Sequence, residues 1–212
     1  MSSGFFLVVE GTEGAGKSTL ARALADRFRA EGTEPVLVRE PGGTPVAERI
    51  REILLDPAHP IEPVSELMLF LAARADLVAR VIAPALAAGR TVLADRFQLS
   101  TEAYQCGGRG LPTSLFQDAN RAATGGLVPH VTLVLDLPTA TGFERIAAKG
   151  QRLDRIEQAG PEFHARVAEV FRRARGPGVL HLDATQPPEQ VLRTAWDIIL
   201  KHRPGAPGAR DH

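Results

Sequence analysis

The chain has almost no cysteine. Cys106 is the only one among 212 residues, so neither an intrachain disulfide nor a cysteine metal cluster can form, which suits a reducing cytosol. It also lacks net charge, with 25 Lys plus Arg against 25 Asp plus Glu. That balance argues against a nucleic-acid-coating or anionic-membrane role, leaving room only for a local basic patch. No apolar run approaches the ~20 residues of a membrane span. The first residues carry no positive leader, and their apolar run is too short for a signal peptide. The expectation is a cytoplasmic protein with no nucleic-acid or membrane partner. Hydrophobic residues make up 44% of the chain, enough to bury a full core. The length fits one domain of ordinary size, residues 1–212.

The most informative stretch is Gly11-Thr12-Glu13-Gly14-Ala15-Gly16-Lys17-Ser18, followed by Thr19. It fits the phosphate-binding loop pattern of two glycines, a lysine and a hydroxyl residue. Its surroundings fit as well, with a short apolar run before it and a helical pattern after it. Glycines let the backbone wrap an anion closely, and the helix N-terminus adds partial positive charge. Lys17 then reaches the β- and γ-phosphates, and the Ser18 hydroxyl is placed to ligate Mg²⁺. The loop indicates a nucleoside triphosphate without naming the acceptor.

Five short apolar segments read as buried strands: 5–10, 35–39, 91–95, 131–136 and 179–183. Helical patterns separate them at 17–31, 45–55, 64–88, 113–123, 139–148, 161–175 and 188–201. This alternation predicts an α/β fold, a five-stranded parallel sheet flanked by helices. Three strands end in Glu10, Asp95 and Asp136, and ligands collect at the carboxyl ends of such sheets. Residues 202–212 hold too few apolar anchors to pack and are expected to form a mobile tail.

Three further motifs carry charge toward that end of the sheet. Arg39-Glu40-Pro41-Gly42-Gly43-Thr44 demands a specific loop, and makes Arg39 and Glu40 candidates for anion and metal-water contacts. Asp95-Arg96 closes the third strand. A carboxylate there can hold Mg²⁺ or its waters, and an arginine can bridge donor and acceptor phosphates through its planar fork. Lys149, Arg152 and Arg155 lie in a glycine-containing link between two helices, read as a small lid over residues 145–157. Each motif alone is also compatible with solvated charge or an ordinary turn.

Taken together, these blocks resemble thymidylate kinases of the bacterial type with basic residues in the lid, over nearly the whole chain. The resemblance rests on REPGGT (39–44), LFLAAR (69–74), DRFQLSTEAYQCGGRG (95–110), LDRIEQ (153–158) and DATQP (183–187), in that order. It implies the fold of the P-loop nucleoside monophosphate kinases, transfer of a phosphoryl group from ATP to dTMP with Mg²⁺, and a homodimer formed through long helices. It also implies residue roles. Phe70 would stack on thymine, with Arg74 donating to its O4. Thr101 and Gln105 would line the thymine and sugar pocket, and Tyr104 would crowd the sugar 2′ position. Arg39, Arg51 and Arg96 would surround the acceptor phosphate, and Glu13 would face the sugar. The backbone of 183–187 would edge the adenine. Phe97 stands where the family usually has tyrosine.

Elementary chemistry supports part of this independently. Residues 70 and 74 share one helix face, and an aromatic plane beside a forked donor suits a pyrimidine. A phosphate acceptor is already ionised near neutral pH and needs no general base, so catalysis reduces to positioning and charge stabilisation by Lys17, Arg96, Arg152 and Arg155. Two alternatives remain at this stage: another nucleotide or nucleoside kinase of the same fold, and a nucleotide-binding switch. The guanine-reading Asn-Lys-x-Asp segment of a GTPase is absent.

Overall fold

The computed structural model describes residues 4–148, 150 and 153–203. Five strands, β1 (Phe5–Gly11), β2 (Val36–Arg39), β3 (Thr91–Asp95), β4 (Val131–Asp136) and β5 (Val179–Asp183), form one sheet in the order β2-β3-β1-β4-β5. All pairings are parallel. Every residue of β1 is buried, as a central parallel strand covered on both faces requires.

Alternation along β1 sorts the core into two layers. Phe5, Leu7 and Val9 pack with Leu20, Leu24 and Phe28 of α1 (Lys17–Ala30) and with Trp196 and Ile199 of α9 (Pro188–His202). Phe6 and Val8 face the opposite layer, with Val38, Leu77, Ile82 and Phe97. Burying each such side chain fully contributes roughly 1.5–3 kcal/mol. The same alternation aims the strand ends. Glu10 projects on the Phe6 side toward Phe97 and Ser100, whereas Asp95 projects on the Leu93 side toward Ser18.

Connections match the sequence expectations closely at α2 (Pro45–Leu55), α6 (Thr113–Thr124), α7 (Thr139–Ala148) and α8 (Pro161–Arg173). Three differences stand out. The long helix expected over 64–88 is α3 (Pro63–Leu77), a π-helical turn (Val78–Ile82) and α4 (Ala83–Ala87). Pro84 has no N–H to continue an α-helical ladder, and the widened turn sits just before it. An unexpected helix, α5 (Gln98–Thr101), runs on as a π-helical stretch through Gly108. His202, where a mobile tail was expected to start, instead closes α9. Residues 204–212 lie outside the described ones.

Candidate active site

The phosphate loop joins β1 to α1 at the carboxyl edge of the sheet. Gly16 takes a left-handed conformation (φ 95°) as the N-cap of α1. The first turn of α1 has no acidic residue and no side-chain cap, so its N–H groups stay available to an anion. Lys17 is buried and folds back to donate to the Thr12 carbonyl at 2.5 Å. Burial pulls its pKa down to about 7, reinforced by the nearby Arg96 charge and opposed by Glu13, Asp95 and Glu10. Ser18 Oγ donates to the Asp95 carboxylate. Two of the three residues expected to hold the metal or its waters therefore meet beside the helix start.

Arg96 follows Asp95 with φ 73°, the one non-glycine residue with positive φ among those described. That backbone turn is held by Glu10, whose carboxylate accepts from the N–H groups of Phe97 (2.8 Å) and Ser100 (3.0 Å) and from Ser100 Oγ (2.5 Å). Glu10 thus caps α5 from inside the sheet. Burial nevertheless pushes its pKa up, outweighing these bonds. The Arg96 guanidinium lies over the Tyr104 ring at 5.2 Å, donates to Ser100 Oγ at 3.0 Å, and stands 4.0 Å from Glu13. Tyr104 in turn donates to Glu13. Burial opposes ionisation of Glu13, but His164, Arg96, Lys17 and Tyr104 together hold its pKa at about 2.

Phe70 and Arg74 lie one turn apart on α3. Phe70 is half-buried and lines the cleft. Arg74 is 2% exposed, and its fork is almost fully used. Nε and Nη2 donate to Glu40 at 2.8 and 2.7 Å, Nη1 to Asn120 at 2.8 Å, and Nη2 also to Thr101 at 2.8 Å and the Phe97 carbonyl at 3.0 Å. The Phe97 ring points into the core, edge-on to Phe6, so a tyrosine hydroxyl here would be buried.

A single cleft of about 540 Å³ gathers most of the expected residues. Its walls include Glu13, Gly14, Gly16, Lys17, Ser18 and Thr19 on one side, and Arg39, Arg51, Phe70, Arg74, Arg96, Thr101, Tyr104 and Gln105 on the other, with Asp95 between. Arg39 pairs with Glu48 at 3.0 Å, and Arg51 donates to the Pro41 carbonyl at 3.1 Å.

Two of the expected residues take partners that the sequence did not suggest. Glu40, expected to hold metal waters, is buried and gives one oxygen to the Arg74 fork. Its other oxygen has no hydrogen-bond partner. Arg155, expected among the catalytic lid arginines, points away from the cleft. Its Nη1 is 2.6 Å from Glu66, and its Nε donates to the Leu54 carbonyl at 2.8 Å. A buried carboxylate on α3 draws it there. Glu66 also takes two bonds from Arg109 and one from Gln105. Lys149 and Arg152 lie outside the described residues. Arg145 donates to the carbonyls of Gly14 (3.5 Å) and Ala184 (3.2 Å), joining the phosphate loop to the 183–187 turn.

Sequence reasoning missed Glu66, Asn120, Ser100 and His164. Each is a buried polar residue on a helix, and the sequence signal was only a polar letter on an otherwise apolar face.

A phosphate loop opening a helix beneath a parallel sheet, with Ser18 against a strand-end carboxylate and arginines across one cleft, defines a P-loop phosphotransferase. A family model described as thymidylate kinase matches residues 9–195. Three relatives named thymidylate kinase are similar over most of their lengths. That of Deinococcus radiodurans is 47% identical, covering 94% of this chain and 98% of its own. That of Pseudomonas fluorescens strain SBW25 is 51% identical, covering 93% and 95%. That of a Synechococcus species is 43% identical, covering 97% and 99%. The chain belongs to the thymidylate kinase family, and it is a kinase.

Proposed function

We propose that this kinase transfers the γ-phosphoryl group of ATP to the phosphate of dTMP, giving dTDP on the route to dTTP. The observation that carries the acceptor side is the Phe70–Arg74 pair. An aromatic face and a buried, four-partnered guanidinium line one wall of the cleft whose other wall is the phosphate loop. A nucleoside kinase would need a carboxylate to take a proton from a neutral hydroxyl. The arginines at 39, 51 and 96 instead suit an acceptor that already bears a phosphate.

In this reading, the backbone of 11–19 cradles the ATP phosphates, and Lys17, whose charge is weakened by burial, regains a full counter-charge from them. Arg96 sits between donor and acceptor. Its left-handed backbone and the Glu10 cap fix the direction of its fork before either substrate binds. Glu13 faces the acceptor sugar, and Thr101, Tyr104 and Gln105 close that side. Arg152 supplies the lid cation. Arg155 instead anchors the end of the lid segment to Glu66 and Leu54. The acceptor oxygen attacks phosphorus in line, with no general base.

The hydroxyl of Ser18 and the carboxylate of Asp95 suit Mg²⁺, a hard cation usually held by one or two such oxygens plus phosphate oxygens. When bound, it neutralises charge on the β- and γ-phosphates. The spare oxygen of Glu40 is a further acceptor for one of its waters.

One domain carries both substrates, and two copies are proposed to pair through α3. Val64 and Met68, four residues apart on that helix, are 48% and 42% exposed. No described helix is long and apolar enough to cross a membrane, and a cytoplasmic location is proposed.

The test is ATP-dependent ADP release with dTMP, dUMP, dCMP, dGMP, AMP and thymidine as acceptors. Turnover strongest with dTMP, and reduced ~10²–10³-fold in Arg96→Ala, is expected. Turnover with thymidine but not dTMP would overturn the acceptor assignment.

A further inference from the structure

His164 on α8 is 2% exposed, yet both of its ring nitrogens face oxygen. Nε2 is 3.2 Å from the carbonyl of Glu157, the last residue of the lid segment. Nδ1 is 3.5 Å from the Glu13 carboxylate in the phosphate loop, an ion-pair distance, and has no hydrogen-bond partner. Neither a carbonyl nor a carboxylate donates. A neutral imidazole has only one N–H, so one nitrogen would oppose a lone pair to a lone pair. The imidazolium presents an N–H to the Glu157 carbonyl and positive charge to the Glu13 carboxylate. The ring is gripped edge-on by Phe143 and Phe163, with centroids 4.8 and 5.1 Å away, which leaves it little freedom to turn.

The charged surroundings agree. Glu13 from the phosphate loop and Glu157 from the end of the lid segment both favour the cation and outweigh the cost of burial. α7 presents the uncharged Phe143 ring, and Arg96 stands beside the other oxygen of Glu13. Glu13 is thus held on two sides. Tyr104 and Arg96 engage Oε1, and His164 engages Oε2.

We propose that His164 is a positioning residue for the acceptor, a buried cation that keeps the Glu13 carboxylate ionised and turned toward the acceptor's sugar hydroxyl. This rests on the reading of Glu13 given above. It makes α8 part of acceptor selection although His164 is not among the residues lining the cleft. It also links the end of the lid segment to the phosphate loop through a single ring.

The experiment compares dTMP with its 3′-deoxy analogue in wild type, Glu13→Gln, His164→Phe and His164→Gln. Expected for His164→Phe is a KM for dTMP raised about 10- to 100-fold with kcat little changed, and a KM for the 3′-deoxy analogue nearly unmoved. His164→Gln, which keeps one N–H donor, should recover part of the loss. Equal effects on both acceptors, or on neither, would overturn the proposal while leaving Glu13 in place. If Glu13→Gln itself fails to change discrimination between the two acceptors, the reading of Glu13 falls and this proposal with it. A second measurement does not depend on the variants folding. Ring-nitrogen NMR of the wild-type protein should show His164 doubly protonated at neutral pH, and a single neutral tautomer there would refute the idea.

Discussion

Gly142 of α7 lies directly against Gly14 of the phosphate loop. A β-carbon on Gly14 would fall 2.1 Å from the Gly142 carbonyl oxygen, and one on Gly142 would fall 2.3 Å from the carbonyl oxygen of Glu13. The helix leading into the lid is therefore seated backbone-to-backbone on the loop. Alanine is ordinarily the better helix former by about 1 kcal/mol. Here the overlap is with main chain, which cannot swing aside, and forced overpacking typically costs 1–3 kcal/mol. Gly142→Ala should lower the melting temperature and raise the KM for ATP. An unchanged KM for ATP would show that the loop tolerates the displacement.

Arg74 and Glu40 form a buried pair, with side chains 1% and 4% exposed. Burial raises the pKa of Glu40 against the pull of Arg74, so the carboxylate is costly without its partner. Arg74→Leu should destabilise by about 3–5 kcal/mol in urea titrations, and adding Glu40→Leu should restore much of that loss. Both variants should lose turnover with dTMP. A double variant no more stable than the single would show that the pair's charge is not the cost.

The left-handed backbone at Arg96 separates two effects of one residue. Arg96→Ala and Arg96→Gly both remove the guanidinium, and both should lose ~10²–10³-fold in turnover. Glycine adopts φ 73° without penalty, so Arg96→Gly should be more stable than Arg96→Ala by about 1–2 kcal/mol. Equal stabilities would mean that the loop relaxes once the side chain is gone.

Acid should expose the Glu13 cluster. Its carboxyl pKa sits at about 2 in the folded chain, below the ordinary 4.5. A depressed carboxylate adds stability that is present above the ordinary value and is lost as pH falls through the folded one. The stability advantage of wild type over Glu13→Gln should therefore be full at pH 6 and shrink between about 4.5 and 2. A gap constant across that range would contradict the ion-paired arrangement.

The sheet was legible because parallel strands buried on both faces read as continuous apolar runs, and three of the five match to the residue. The helix at 98–108 was not. It carries no apolar period, because Thr101, Tyr104 and Gln105 turn toward the cleft while two glycines end it. Among site residues, those of the phosphate loop, Asp95 and Arg96 line one cleft. The partners that the sequence did not suggest are distant in it. Glu40 is claimed by Arg74, 34 residues on, and Arg155 by Glu66 on α3. A charged letter in a loop states that a cation is there, but not which buried carboxylate will capture it.

The strand order has a consequence for how the chain is made. β1 sits at the centre of the sheet, yet its neighbours are β3 and β4, with Leu7 opposite both Leu93 and Val131. During synthesis, this strand, buried throughout in the folded chain, emerges before either neighbour and waits while some eighty further residues are added before its first edge can pair. Closing such distant pairings is slow, and an unpaired apolar strand is the part of a nascent chain most prone to wrong association. Chaperone holding of the emerging chain would therefore matter most between the synthesis of β1 and that of β3.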